Sequence, residues 1–174
     1  MNEIENPVID AILKRRSIRR YSGKAVNKSD IKLLLKAGMY APSAMNQQPW
    51  YFLVINERIL LSRITEIHPH ASMLSDAELA ILVCGDINLE RSSGYWPVDC
   101  AAATQNILLA AHALGLGAVW LGVYPRQERQ SAIRKVIDLP AHVHPFSLIS
   151  VGHPAEVKVL PDRFKEDRIR WNEW

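Results

Sequence analysis

The chain has 174 residues, 48% of them hydrophobic and 22% charged, with a formal net charge of +3. That length suits one domain with a sizeable core, and the composition excludes disordered, collagen-like and repetitive chains. Its apolar runs, such as residues 79–84 and 107–111, are far shorter than the roughly 20 residues of a membrane span. The basic residues form no helical stripe interleaved with stacking aromatics, so neither a membrane nor a nucleic acid is expected as a partner.

Residues 1–7 carry two glutamates and no basic residue, so no secretory leader is expected and the default location is the cytoplasm. Residues 7–14 place Val8, Ile9, Ile12 and Leu13 at helical spacing and run into the cluster Arg15, Arg16. Asn27 or Ser29 can cap a second helix through Ile31, Leu33, Leu34, Leu35 and Ala37, stopped before Pro42. Residues 50–55 form a continuous apolar run of strand formers, as in a strand covered on both faces. Residues 58–66 suit a short helix, and residues 79–85 repeat the buried-strand signal.

The longest helix is expected over residues 97–114, with Pro97 at its start and Gly115 just past its end. Alanines 101–103, 110, 111 and 113 let neighbouring helices come close, and the helix is apolar almost all round, so it belongs inside the molecule or against a second subunit. Residues 118–123 read as a strand, 128–137 as an amphipathic helix and 146–151 as a strand. Helices and strands alternate without a hairpin signal, which points to a sheet with helices on its faces. Residues 158–174 keep Phe164, Ile169, Trp171 and Trp174 among many charges. Such aromatics need a surface, expected to be a partner subunit, with the chain's own domain as the alternative.

Two segments carry the chemistry. Arg15, Ser17 and Arg19, with Arg16, offer guanidinium forks and a hydroxyl, the donors a phosphate dianion needs. In Pro42-Ser43-Ala44-Met45-Asn46-Gln47-Gln48-Pro49-Trp50, polar side chains stand between prolines that stiffen the backbone, which suits the polar edge of a flat ring. One segment fits the charged end of a nucleotide, the other its heterocycle.

The pattern Arg15-Arg16-Ser17-Ile18-Arg19-Arg20-Tyr21 closing a first helix, then Ala41 to Trp50 closing a second and entering an apolar strand, resembles the N-terminal signature of the nitroreductase family of FMN-dependent oxidoreductases. Residues 113–122 are similar to that family's central helix and following strand, and residues 151–156 and 161–164 to its last strand and tail. The resemblance implies an α+β fold, a mixed sheet with helices on both faces, in an intertwined homodimer with FMN sites at the interface. Residues 1–174 would form one FMN-binding domain, with 156–174 as a C-terminal tail on the partner subunit.

The resemblance also implies roles for individual residues. Arg15, Arg16, Ser17 and Arg19 would hold the FMN phosphate, ribityl chain and pyrimidine edge. Pro42, Ser43, Ala44, Met45, Asn46 and Gln48 would pass along the flavin. Leu121 and Gly122 would form the corner facing the flavin N5, where glycine permits close approach. Gly152 matches the tail region, from which Arg163 would reach the phosphate. NADH or NADPH would deliver hydride to N5, depart, and be replaced by a small-molecule acceptor such as a nitroaromatic or quinone. The cofactor carries that chemistry, so no side chain is assigned a catalytic role.

Other patterns count for less. His68-Pro69-His70 and His142-Val143-His144 are the metal-like spacings, but both lie beside prolines in expected loops without cysteine or carboxylate partners, and no metal is expected. Cys84 and Cys100 read as buried small hydrophobes, with a disulfide disfavoured. Relatives of this fold also act in dehalogenation and flavin destruction, usually with an added lid; here residues 66–76 and 88–97 are short, which favours an open site. A dimeric FMN-binding protein without turnover is the remaining alternative, and the retention of Ser17, Asn46, Gln48 and Gly122 argues against it.

Overall fold

The computed structural model describes residues 6–174; residues 1–5, on which part of the leader reading falls, lie outside the described residues. Helix α1 (Pro7–Lys14) starts where Asn6 Oδ1 accepts the N–H groups of Val8 and Ile9 at 3.0 and 3.2 Å, with Pro7 preset in the first turn. It buries none of its residues, so Val8, Ile9, Ile12 and Leu13 all stand exposed. Helix α2 (Lys28–Met39) follows Asn27, whose side chain reaches Asp30 rather than the helix backbone.

The sheet comprises β1 (Trp50–Ile55), β2 (Leu79–Asp86), β3 (Gly117–Gly122) and β4 (Val143–Gly152) in the order β1-β2-β4-β3, with every neighbouring pair antiparallel. Parallel pairing is confined to an isolated bridge between Ser17 and Ala118. Helices α3 (Arg58–Ile67), α4 (Trp96–Ala113) and α5 (Gln127–Ile137) complete an α+β architecture. One core lies between the sheet and α2 with α4; the other lies on the opposite face, under α3 and α5.

The expectation of a strand covered on both faces holds for β2, which is buried throughout, and fails for β1. The reason is position. As the edge strand, β1 turns Trp50, Phe52 and Val54 onto the α4 core, while Tyr51 and Leu53 on the other face stay exposed. Strand β4 begins at Val143, earlier than its apolar run, because Pro145 sits where the register against β2 slips between Val83 and Cys84. A proline has no N–H to give, and such a slip is where a central strand tolerates it.

Helix α4 is the central element, touching α1, α2 and all four strands. Its close approach to α2 runs through Gly38, where a Cβ would lie 3.0 Å from Ile107 Cδ1 and from Phe52 Cζ. Cys84 and Cys100 are free and buried, and burial pushes the Cys84 thiol up to about 12. Beyond residue 156 the chain runs exposed over its own surface, with Trp171 and Trp174 at 84% and 106% relative exposure. No helix among the described residues is long and apolar enough to cross a membrane.

Candidate functional site

After Lys14 the chain leaves helical geometry at Arg15 and runs extended along the edge of β3. Ile18 N–H donates to Ala118 O at 3.1 Å. Ile18 also packs so tightly on Gly117 that a Cβ there would lie 2.6 Å from its Cγ2. Tyr21 pins the far end: its hydroxyl donates to Ile18 O at 2.8 Å and accepts from Ser150 Oγ at 2.9 Å. Burial pushes that phenol up to about 12.

This pinned segment lines a cleft of about 460 Å³ formed by Arg15, Arg16, Ser17 and Arg19 with Lys158, Val159, Pro161 and Arg163 from the tail. The expected grouping of Arg15, Arg16, Ser17, Arg19 and Arg163 therefore occurs within one chain. Lys158 is an addition that its surroundings in sequence did not mark. Its Nζ lies 2.6 Å from Glu156 Oε2, whose other oxygen accepts the N–H of Arg19 at 2.7 Å. The hydrogen bond from Lys158, then that from Arg19, holds the Glu156 carboxyl below its ordinary range.

The arginines have no such counter-charge. Among the described residues none of Arg15, Arg16, Arg19 and Arg163 is in an ion pair, and the Nε groups of Arg15 and Arg16 are buried without a hydrogen-bond partner. Burial, and then the positive charges of Arg16 and Arg163, lower the pKa of Arg15. Clustered cations with unused donors are costly alone and match a multiply charged anion. Arg16 is partly spent: its Nη1 donates to Leu13 O at 2.8 Å and Arg15 O at 2.6 Å, closing the end of α1. Arg15 is thus the freer of the two.

The loop after α2 holds Met45, Asn46 and Gln48 at φ of 49°, 51° and 47°, a left-handed backbone that side-chain-bearing residues adopt at a cost. Ser43 Oγ accepts Gln48 N–H at 3.0 Å, and Gln48 Nε2 donates to Asn46 Oδ1 at 3.1 Å. Asp99, at the start of α4, accepts Ala44 N–H at 2.9 Å and Gln47 Nε2 at 2.6 Å; Gln47 Oε1 in turn accepts the N–H groups of Arg91 and Ser92 at 2.8 and 3.0 Å. Asn46 and Gln48 remain exposed and Met45 is 69% exposed, so their side chains face outward, while the unselected Gln47 is buried. Asp99 was also missed, although a lone acid in so apolar a helix is a signal. None of residues 42–48 lines the arginine cleft of the same chain.

At the end of β3, Leu121 is buried and the Gly122 carbonyl accepts two donors, Arg129 Nη1 at 2.7 Å and His68 Nε2 at 3.1 Å. The His68 ring is oriented by its other nitrogen, since Nδ1 accepts the N–H of His70 at 3.3 Å and Nε2 must carry the proton. Burial chiefly, and Arg129 among the lesser causes, lowers the His68 pKa. In the other His-x-His pair, His142 lies 3.7 Å from Asp86, and His144 lies against Trp96 at 5.6 Å between ring centres. Among the described residues no three potential ligands gather as a metal site would require.

Sequence and structure comparisons place this arrangement among known proteins. The family model described as the nitroreductase family matches residues 12–81 and 69–153. A Methanothermobacter thermautotrophicus protein, provisionally named an NADH dehydrogenase/NAD(P)H nitroreductase, is 48% identical over 167 residues, covering 96% of this chain and 87% of its own. A Parabacteroides distasonis crystal structure of the same provisional name superposes with a TM-score of 0.94 at 41% identity, over 98% of this chain and 100% of the other. A Desulfovibrio desulfuricans structure, provisionally a nitroreductase in complex with FMN, superposes with a TM-score of 0.85 at 34% identity, over 98% and 99%. With the arginine-bearing segment, the left-handed loop and the β3 corner all inside matched regions, the chain belongs to the nitroreductase family.

Proposed function

We propose that this chain is an FMN-dependent oxidoreductase that takes hydride from NADH or NADPH and passes it to a small acceptor, a nitroaromatic or quinone, in alternating half-reactions. The observation that carries the reading is the pair of buried, unpartnered Nε groups of Arg15 and Arg16 in a cleft shared with Arg163. When bound, FMN supplies the hydride chemistry through its N5. The chain's own residues then bind and orient. Arg15, Ser17 and Arg163 hold the phosphate as a charged fork and hydroxyl; Arg16 assists while closing α1. Arg19 places a fixed cation toward the ring. The carbonyl of Gly122, held by His68 and Arg129, fixes the backbone of the Leu121–Gly122 corner so that it does not drift with the ligand.

The loop of residues 42–48 enters through a second copy. It does not line its own chain's cleft, so in this reading the loop of one subunit, with Pro42, Ser43, Ala44, Met45, Asn46 and Gln48, completes the arginine cleft of the other. The uncovered apolar face of α1 and the aromatics of residues 156–174 supply surface for that homodimer. The Desulfovibrio desulfuricans relative, crystallised with FMN, supports the cofactor. The purified protein should show flavin absorption, or acquire it on addition of FMN, and should oxidise NADH or NADPH anaerobically until the flavin is bleached. A protein that neither binds FMN nor is reduced by either nicotinamide would overturn the reading.

A further inference from the structure

We propose that Asp99 and Gln47 are positioning residues: a buried clamp that sets the backbone of loop 42–48 from α4 and fastens segment 90–95 to it. The effect on FMN rests on the function proposed above; the clamp itself does not. Asp99 is 3% exposed and Gln47 7%, and a buried carboxylate is retained only where donors converge on it. Two do, the N–H of Ala44 and the amide of Gln47, and the first turn of α4 adds the favourable end of its dipole. The far end of Gln47 takes two backbone N–H groups, those of Arg91 and Ser92. Every position of this network therefore has one allowed polarity. The Gln47 amide cannot flip, because its NH2 would then face two donors.

The clamp explains how Met45 and Asn46 stay left-handed: the hydrogen bonds on both sides of them, at Ala44 and Gln47, are anchored to a helix, and Gln48 just beyond is held by Ser43 Oγ. It also joins elements that are distant in sequence. Segment 90–95 is closed a second time where Glu90 Oε1 accepts Trp96 N–H at 2.9 Å, so Tyr95, half exposed, is carried on a stretch fixed at both ends. A shift of α4 moves loop and segment together.

A charge-swap series tests this. Asp99→Asn sets an NH2 against the Gln47 amide, and Gln47→Glu sets two carboxylates together. The double substitution restores every bond, because the new carboxylate at position 47 accepts from the new amide at position 99 and from Arg91 and Ser92, while the amide oxygen at 99 accepts from Ala44. Amide hydrogen exchange of Ala44, Arg91 and Ser92 in FMN-free protein is the first readout, and FMN affinity by fluorescence quenching is the second. Each single variant should speed exchange and weaken FMN binding about tenfold, in keeping with loss of a hydrogen bond to a charged group, and the double should recover both to within about threefold. Should a single variant fail to fold, Gln47→Met removes only the amide and should free Arg91 and Ser92 while Ala44 stays protected. Unchanged exchange in the single variants, or a double no better than either, overturns the clamp. If exchange behaves as stated while wild-type protein binds no FMN, the functional reading falls and the clamp stands.

Discussion

Replacing Arg15 with alanine separates two effects that the cleft superimposes. In the ligand-free protein the substitution removes a cation crowded by Arg16 and Arg163, with its Nε buried and unpartnered, so the fold loses little. With FMN it removes a charge-assisted bond of roughly 1.5–3 kcal/mol, a fall in affinity of about 10- to 150-fold. Ligand-induced stabilisation makes the contrast visible. At an FMN concentration near 100 times the wild-type Kd the folded state gains about 2.7 kcal/mol, and with binding weakened about 30-fold the gain drops to about 0.9 kcal/mol. Thermal melts with and without FMN, paired with a fluorescence titration, measure both quantities. Arg16→Ala is the control: loss of its bonds to Leu13 O and Arg15 O lowers the melting temperature of the free protein and spares more of the FMN affinity. An Arg15→Ala protein with an undiminished FMN-induced shift refutes the assignment of the cleft.

Three further outcomes are expected. Gly117→Ala, which puts a Cβ 2.6 Å from Ile18 Cγ2, should cost about 1–3 kcal/mol of stability and loosen the arginine segment, and a melting temperature equal to wild type would contradict the packing. His68 titrates below the ordinary imidazole value of 6.5 in the folded protein, so folding favours its neutral form: the stability it contributes is present above that value and is lost as pH falls through the depressed one. His68→Gln should therefore give a shallower loss of stability as pH falls below 6.5, as read by urea titrations, and an unaltered profile would remove His68 as the cause. Truncation after Phe164 deletes Ile169, Trp171 and Trp174 and should shift sedimentation from a two-chain toward a one-chain species; a full-length protein that sediments as a single chain at micromolar concentration contradicts the dimer.

Much of this architecture is legible in local pattern. Helical spacing placed α1, α2 and α5 to within a residue or two, and apolar runs located the strands, because those signals depend on neighbours in sequence. What failed to read depends on distant partners. The exposed face of β1 follows from its place at the edge of the order β1-β2-β4-β3, which no single strand encodes. Gln47 and Gln48 are identical neighbours with opposite fates, decided by a carboxylate 52 positions away. Arg16 stands beside Arg15 in the basic cluster, and how much of it a ligand could use was not written there: a helix end has its own need for donors and claims much of it. The imidazoles at 68 and 70 carry a metal-like spacing, and only the fold shows that one ring is committed to Gly122.

The tryptophans divide into two optical classes. Trp50 and Trp96 are buried in the core, Trp120 is partly covered, and Trp171 and Trp174 stand in solvent at the chain's end. Intrinsic emission is then a sum of a blue component that reports the core and a red one that reports only the last few residues. In the proposed homodimer a covered terminus would move that second component to the blue, so dilution that separates the chains would redden the spectrum before the core component changes, an unlabelled signal separate from global unfolding.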